Sequence, residues 1–211
     1  MRHAANAMLL VGMLGAAGAA HAEAPKAGAK TMEYRGMQVP TDAKQFVQRL
    51  LYFQGEVIKE AKLAQGKSHS PQVKEFAGTL AETHQRFTDR LRETAKEQKL
   101  QLGTFKPQGT SEKHAASAEK SFKERMETLS GEAFDQPFLA AQVDDHDRLL
   151  LNVMAGQQLF ENQPLGAVLK ELQPELSRLR DRAYQLLGQQ TASGGTGGAG
   201  TGGGQNEGGK K

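Results

Sequence analysis

The sequence predicts an all-α protein, a four-helix bundle of two antiparallel hairpins with an extra short helix in the connection between them. Three observations predict it. Four long segments repeat apolar residues at steps of three and four, the spacing of one helix face. Short turns join the first segment to the second and the third to the fourth, so each pair must fold back on itself. No stretch reads as a strand.

The first segment spans about 41–65, with Thr41 as its expected cap and Asp42 suited to the positive helix end. Phe46, Leu50, Phe53, Val57, Ala61 and Ala64 form its apolar face. After a turn at 66–69, Ser70 caps the second segment, and Pro71 takes the first helical position, where a missing N–H costs nothing. Val73, Ala77, Leu80, His84, Phe87 and Leu91 alternate steps of four and three, a heptad seam that fades near Leu100. "QLGTFKPQGT" reads as loop, and a shorter polar helix follows from Ser111 to about Leu129. Ser130-Gly131 breaks it. The third long segment covers about 132–160, with Leu139, Val143, His146, Leu150, Val153 and Phe160 on its seam. Pro137 either marks its true start or bends its first turn. The fourth covers about 163–188, capped by Asn162, kinked at Pro174 and ended by Gly188.

The ends differ from this domain, 41–188. Residues 1–22 have the layout of a secretory signal peptide: Arg2, an apolar run from Ala4 to Ala20, and an Ala20-His21-Ala22 cleavage site. Cleavage after Ala22 implies a periplasmic or secreted protein. Nothing later has the ~18 consecutive apolar residues of a transmembrane span. Residues 23–40 read as a flexible leader, and 189–211 as a disordered Gly-rich tail with too few apolar groups to offset its ordering entropy.

Composition excludes several chemistries. There are 0 cysteines. Disulfides, thiolate metal sites, iron–sulfur clusters and a lipoprotein anchor are therefore excluded. The formal charge is +3, and removing Arg2 with the signal leaves +2. No dense Lys/Arg stripe with interleaved aromatics points to nucleic acid.

"FVQRLLYFQGEVIKEAKLAQGKSHSPQVKEFAGTLAETH", "LSGEAFDQPFLAAQVDDHDRLL" and "LQPEL" resemble the family catalogued as domain of unknown function 4142, over about 42–188. Pro71-x-Val73-Lys74, a His in the second segment, Ser130-Gly131…Phe134-Asp135 and Asp145-His146 carry the likeness. The resemblance implies an exported, ferritin-like bundle and gives no activity. It also implies departures. The family's usual Asp-His holds at Asp145-His146, whereas His84 follows Thr83. A family Glu of the first helix falls on Val57, between Glu56 and Glu60, and a His of the last helix falls near Leu179.

Two imidazoles, His84 and His146, thus sit where apolar residues are expected. Di-iron bundles use Glu-x-x-His pairs on one face. Here Ala81 and Val143 fill the Glu positions. Glu82, Asp144 and Asp145 point away around their helices, although Asp145 can reach a neighbouring helix. Two imidazoles alone underfill a metal site, so His84 and His146 would need Glu56 or Glu60 of the first segment, with Asp145 a further candidate, and the cofactor would be a transition metal. The favoured reading is that both rings are buried, hydrogen-bonded and fix helix register, with no cofactor and no catalytic residues. Three functions follow, in this order: a non-catalytic envelope protein with a structural or interaction role, linked to stress, whose partner is an unknown envelope component or a second copy; a metal-binding ferritin-like protein; and a lipid-binding module. The last lacks the basic, aromatic-faced helix it would need.

Overall fold

The structure, a computed structural model, describes residues 30–107 and 109–194. The expected signal peptide (1–22), the first part of the leader (23–29) and most of the Gly-rich tail (195–211) lie outside the described residues. Among the described residues, five helices follow a small hairpin: β1 (Thr31–Tyr34), β2 (Met37–Pro40), α1 (Ala43–Lys67), α2 (Pro71–Glu97), α3 (Gly109–Glu127), α4 (Glu132–Leu159) and α5 (Pro164–Gly194). No helix among them is long and apolar enough to cross a membrane.

The hairpin corrects two expectations, the flexible leader up to residue 40 and the absence of strands. β1 and β2 pair antiparallel, with Tyr34 opposite Met37. Arg35 and Gly36 both have positive φ, 48° and 84°. A two-residue turn of that hand matches the twist of the strands it joins. Met32, Tyr34 and Val39 turn inward and are buried. The hairpin is therefore part of the core, packed on α1 and α4. Arg49 Nη1 donates to Gln38 O at 2.6 Å and holds its edge.

The helices start and stop for local reasons. Asp42, one residue after the expected Thr41, caps α1 by accepting from Gln45 N at 2.9 Å. Ser70 caps α2 with Pro71 behind it, as the sequence predicts. Gly131 precedes α4 with φ 59°, a conformation that disfavours a side chain. Pro137 lies inside α4 rather than at its start. α5 begins at Pro164 and runs through Gly188 to Gly194, so the tail begins later than residue 189. Gly188 does not end the helix because nothing there turns the backbone left-handed.

Packing follows the seams. α1 lies mainly along α2 and α4 mainly along α5, while α2 also meets α5 and α1 meets α4. The contacts close a ring of four helices. Leu50, Leu80, Leu91, Leu139, Leu169 and Leu172 are among its fully buried side chains. Each stabilises the fold by about 1.5–3 kcal/mol relative to exposure. Gly156 lets three helices approach: a Cβ there would collide with the Phe46 ring and lie 2.7 Å from Leu169 Cδ1. α3 stands outside the ring. It is attached by Met126 and Phe122 and by polar pairs from Glu112, Glu119 and Lys123 to α1.

Candidate functional site

The two seam histidines meet. His84 of α2 and His146 of α4 are 1% and 0% exposed, within the core. Their Nε2 atoms are 3.2 Å apart, and the rings stand edge to face at 88°. His146 Nδ1 lies 2.6 Å from the carbonyl of Gln142, one turn earlier on α4. His84 Nδ1 lies 2.5 Å from the Gln54 side chain of α1. Gln142 in turn donates from Nε2 to Glu60 Oε2 at 2.7 Å. A polar chain therefore threads α1, α2 and α4 through the core.

Elementary donor and acceptor rules fix its protons. The Gln142 carbonyl can only accept, so His146 Nδ1 carries hydrogen. A neutral His146 then offers a lone pair at Nε2, which the Nε2–H of His84 fills. His84 Nδ1 is left as an acceptor and needs a donor. With Gln54 Oε1 toward the ring, two acceptors would oppose each other, and Gln54 Nε2 would have no partner. Turning the Gln54 amide over puts Nε2–H against the ring, the assignment the network requires.

Both rings are held neutral. Burial, then the neighbouring His146, lowers the His84 pKa well below its ordinary 6.5. Burial lowers that of His146 to about 4, against the Gln142 hydrogen bond. The opposite holds for the acids beside them. Burial, then Asp145, raises Glu60 to about 7. Burial raises Asp145 to about 6, offset in part by Arg148.

Residues 21–186 match the sequence model of a family described as "Domain of unknown function (DUF4142)". The chain belongs to that family. No curated protein and no solved structure matches it.

In this DUF4142 chain the expected site residues divide into two groups. His84, His146 and, through Gln142, Glu60 are brought together. Glu56 and Asp145 are not part of that chain. Glu56 is half-buried against α3, where burial disfavours its charge but hydrogen bonds from Lys123 and Lys59 win and hold its pKa below 4.5. On the same face Glu119 accepts from the Tyr52 hydroxyl at 3.2 Å. Burial and then Glu56 raise Glu119, while burial, Glu119 and Glu56 push Tyr52 up to about 12. Among the described residues, no three His, Cys, Asp or Glu side chains converge closely enough to hold a metal ion. Gln54 and Gln142 are the members of this chain that sequence reasoning missed. Both lie at seam spacing, Gln54 four after Leu50 and Gln142 four before His146, which is the signal that flagged the histidines.

Proposed function

We propose that this is a non-catalytic module exported to the cell envelope, with a structural or interaction role, whose buried imidazole pair locks helix register. The observation that carries the reading is the sealed polar chain: every ring nitrogen has a partner within the protein, and both rings are excluded from solvent. Burial leaves a substrate almost no surface on either ring, and among the described residues no cluster of three His, Cys, Asp or Glu side chains accompanies them. Sliding α2 against α4 by one turn would strand two imidazoles at a cost of about 1–3 kcal/mol each. We read the arrangement as a ferritin-like pair of antiparallel hairpins. Gln54 facing His84 while Gln65 lies by Gly78 supports this for the first pair, and Gln157 facing Gln173 while Asp147 pairs with Arg180 supports it for the second. The secretory layout of residues 1–22 supports export.

One distance favours a second reading. Two imidazoles on one tetrahedral metal, at about 2.0–2.1 Å each, hold their nitrogens about 3.3–3.4 Å apart, close to the 3.2 Å found. Elemental analysis of the protein purified from the envelope, beside the His84→Leu/His146→Leu double variant, decides between them. Under the register reading neither protein carries stoichiometric metal. Each single variant is less stable than wild type by about 1–3 kcal/mol, and the double variant recovers part of that loss. A stoichiometric transition metal, present in wild type and lost in the double variant, would replace the first reading with the second.

A further inference from the structure

Two stretches with no part in the histidine chain meet at one end of the bundle. They are His69-Ser70-Pro71-x-Val73, at the start of α2, and Ser130-Gly131…Asp135, at the start of α4. Gly131 N donates to Lys67 O at 2.9 Å and ties the two together. The positive φ of Gly131 lays its backbone against the His69 ring, where a Cβ would be 3.0 Å from Nδ1. With the end of α5 they line an open cavity of about 340 Å³.

Its lining combines apolar side chains, neutral polar ones and two carboxylates. Val73 and Leu186 are buried and apolar. Asp135 is 2% exposed, and its Oδ1 has no hydrogen-bond partner; nor does the buried Oε1 of Gln190. Both orphaned atoms are acceptors. The positive end of α4 favours a carboxylate in its first turn but supplies no hydrogen bond to Oδ1. Glu132 adds a second carboxylate, exposed at the rim. Neither Lys nor Arg is among the described residues that line the cavity. An anion is therefore disfavoured. A bare metal ion is disfavoured as well, because His69, Glu132 and Asp135 do not converge to metal-holding distance. A buried acceptor without a donor is costly.

We propose that this cavity binds a small alkylammonium compound, with an ammonium group on Asp135 and methylenes on Val73 and Leu186. The ammonium supplies the donors that Asp135 and Gln190 lack, and a second cationic end can reach Glu132. A short linear diamine meets all of these requirements.

The test is calorimetric titration of the full chain with 1,4-diaminobutane at fixed ionic strength, with 1,4-butanediol and manganese chloride as parallel titrants. Saturable binding of the diamine at one site, without uptake of the diol, is expected. Asp135→Asn should weaken it at least about tenfold, the effect of losing one charge-assisted hydrogen bond, and Glu132→Gln should weaken it less. The proposal fails if the diamine does not bind, if the diol binds equally well, if Asp135→Asn leaves the affinity unchanged, or if manganese is the titrant whose binding Asp135→Asn abolishes. Should Asp135→Asn not fold by circular dichroism, Glu132→Gln decides, since its residue is exposed. Unchanged diamine affinity in that variant overturns the proposal.

Discussion

Replacing Glu60 with Gln should make the protein more stable in alkaline solution and leave it nearly unchanged in acid. Glu60 is buried on α1, where it accepts from Gln142 and feels Asp145, Lys123 and Glu119. Its pKa rises from an ordinary 4.5 to about 7. A carboxyl with a raised folded pKa binds its proton more tightly in the native state. Its cost is therefore absent below pH 4.5, grows between the two values and is complete above about 7. At about 1.36 kcal/mol per unit, the full cost is on the order of 3 kcal/mol. Gln keeps the length of the side chain and an oxygen for Gln142 Nε2, and removes only the charge. Urea unfolding of wild type and Glu60→Gln at pH 4.5 and 8.5 measures the difference. A gain of about 3 kcal/mol at the higher pH corresponds to a midpoint shift of about 1–2 M urea for a typical slope. A difference independent of pH, or a variant less stable than wild type at pH 8.5, would refute the reasoning. Asp145, His84 and His146 titrate in both proteins and so largely cancel.

Two further substitutions probe packing. Gly156→Ala gains about 1 kcal/mol of helix propensity but drives a methyl into Phe46 and Leu169. Overpacking of this kind costs about 1–3 kcal/mol, so a lower melting temperature is expected, and a raised one would show that the α1–α4–α5 contact yields. Met32→Ala should cost about 2–5 kcal/mol in urea unfolding, as for a core methionine; a loss under about 0.5 kcal/mol would mean that the hairpin does not share the core.

Much of the helical fold was legible because the seams repeat without interruption. Leu80, His84, Phe87 and Leu91 are all buried, as their spacing requires, and Leu165 through Leu186 line α5 in the same way. The hairpin was not legible. Only Met32, Tyr34 and Val39 mark its inner face, and a four-residue alternation is too short to stand out. Of the candidate site, the histidines were visible because a polar residue on an apolar stripe is conspicuous. Gln54 and Gln142 obey the same rule, but an uncharged amide carries no charge or titration of its own to mark it on the stripe. That Asp145 points away from His146 was legible from their adjacency on one helix, whereas Glu56 is drawn to Lys123 of α3, a contact that periodicity does not encode. Helix ends also moved: Gly188 carries no turn, and Pro137 sits within α4.

α3 stands outside the four-helix ring and meets it with two apolar side chains and a few ion pairs, among them Arg49–Glu112 at 3.6 Å. Concentrated electrolyte weakens such pairs and leaves the leucine seams untouched. This strap therefore has the lowest threshold for coming away, and it can do so while the ring beneath keeps its shape. Among the described residues, limited digestion would nick the chain there first, leaving two halves still clasped together, each carrying one of the paired imidazoles.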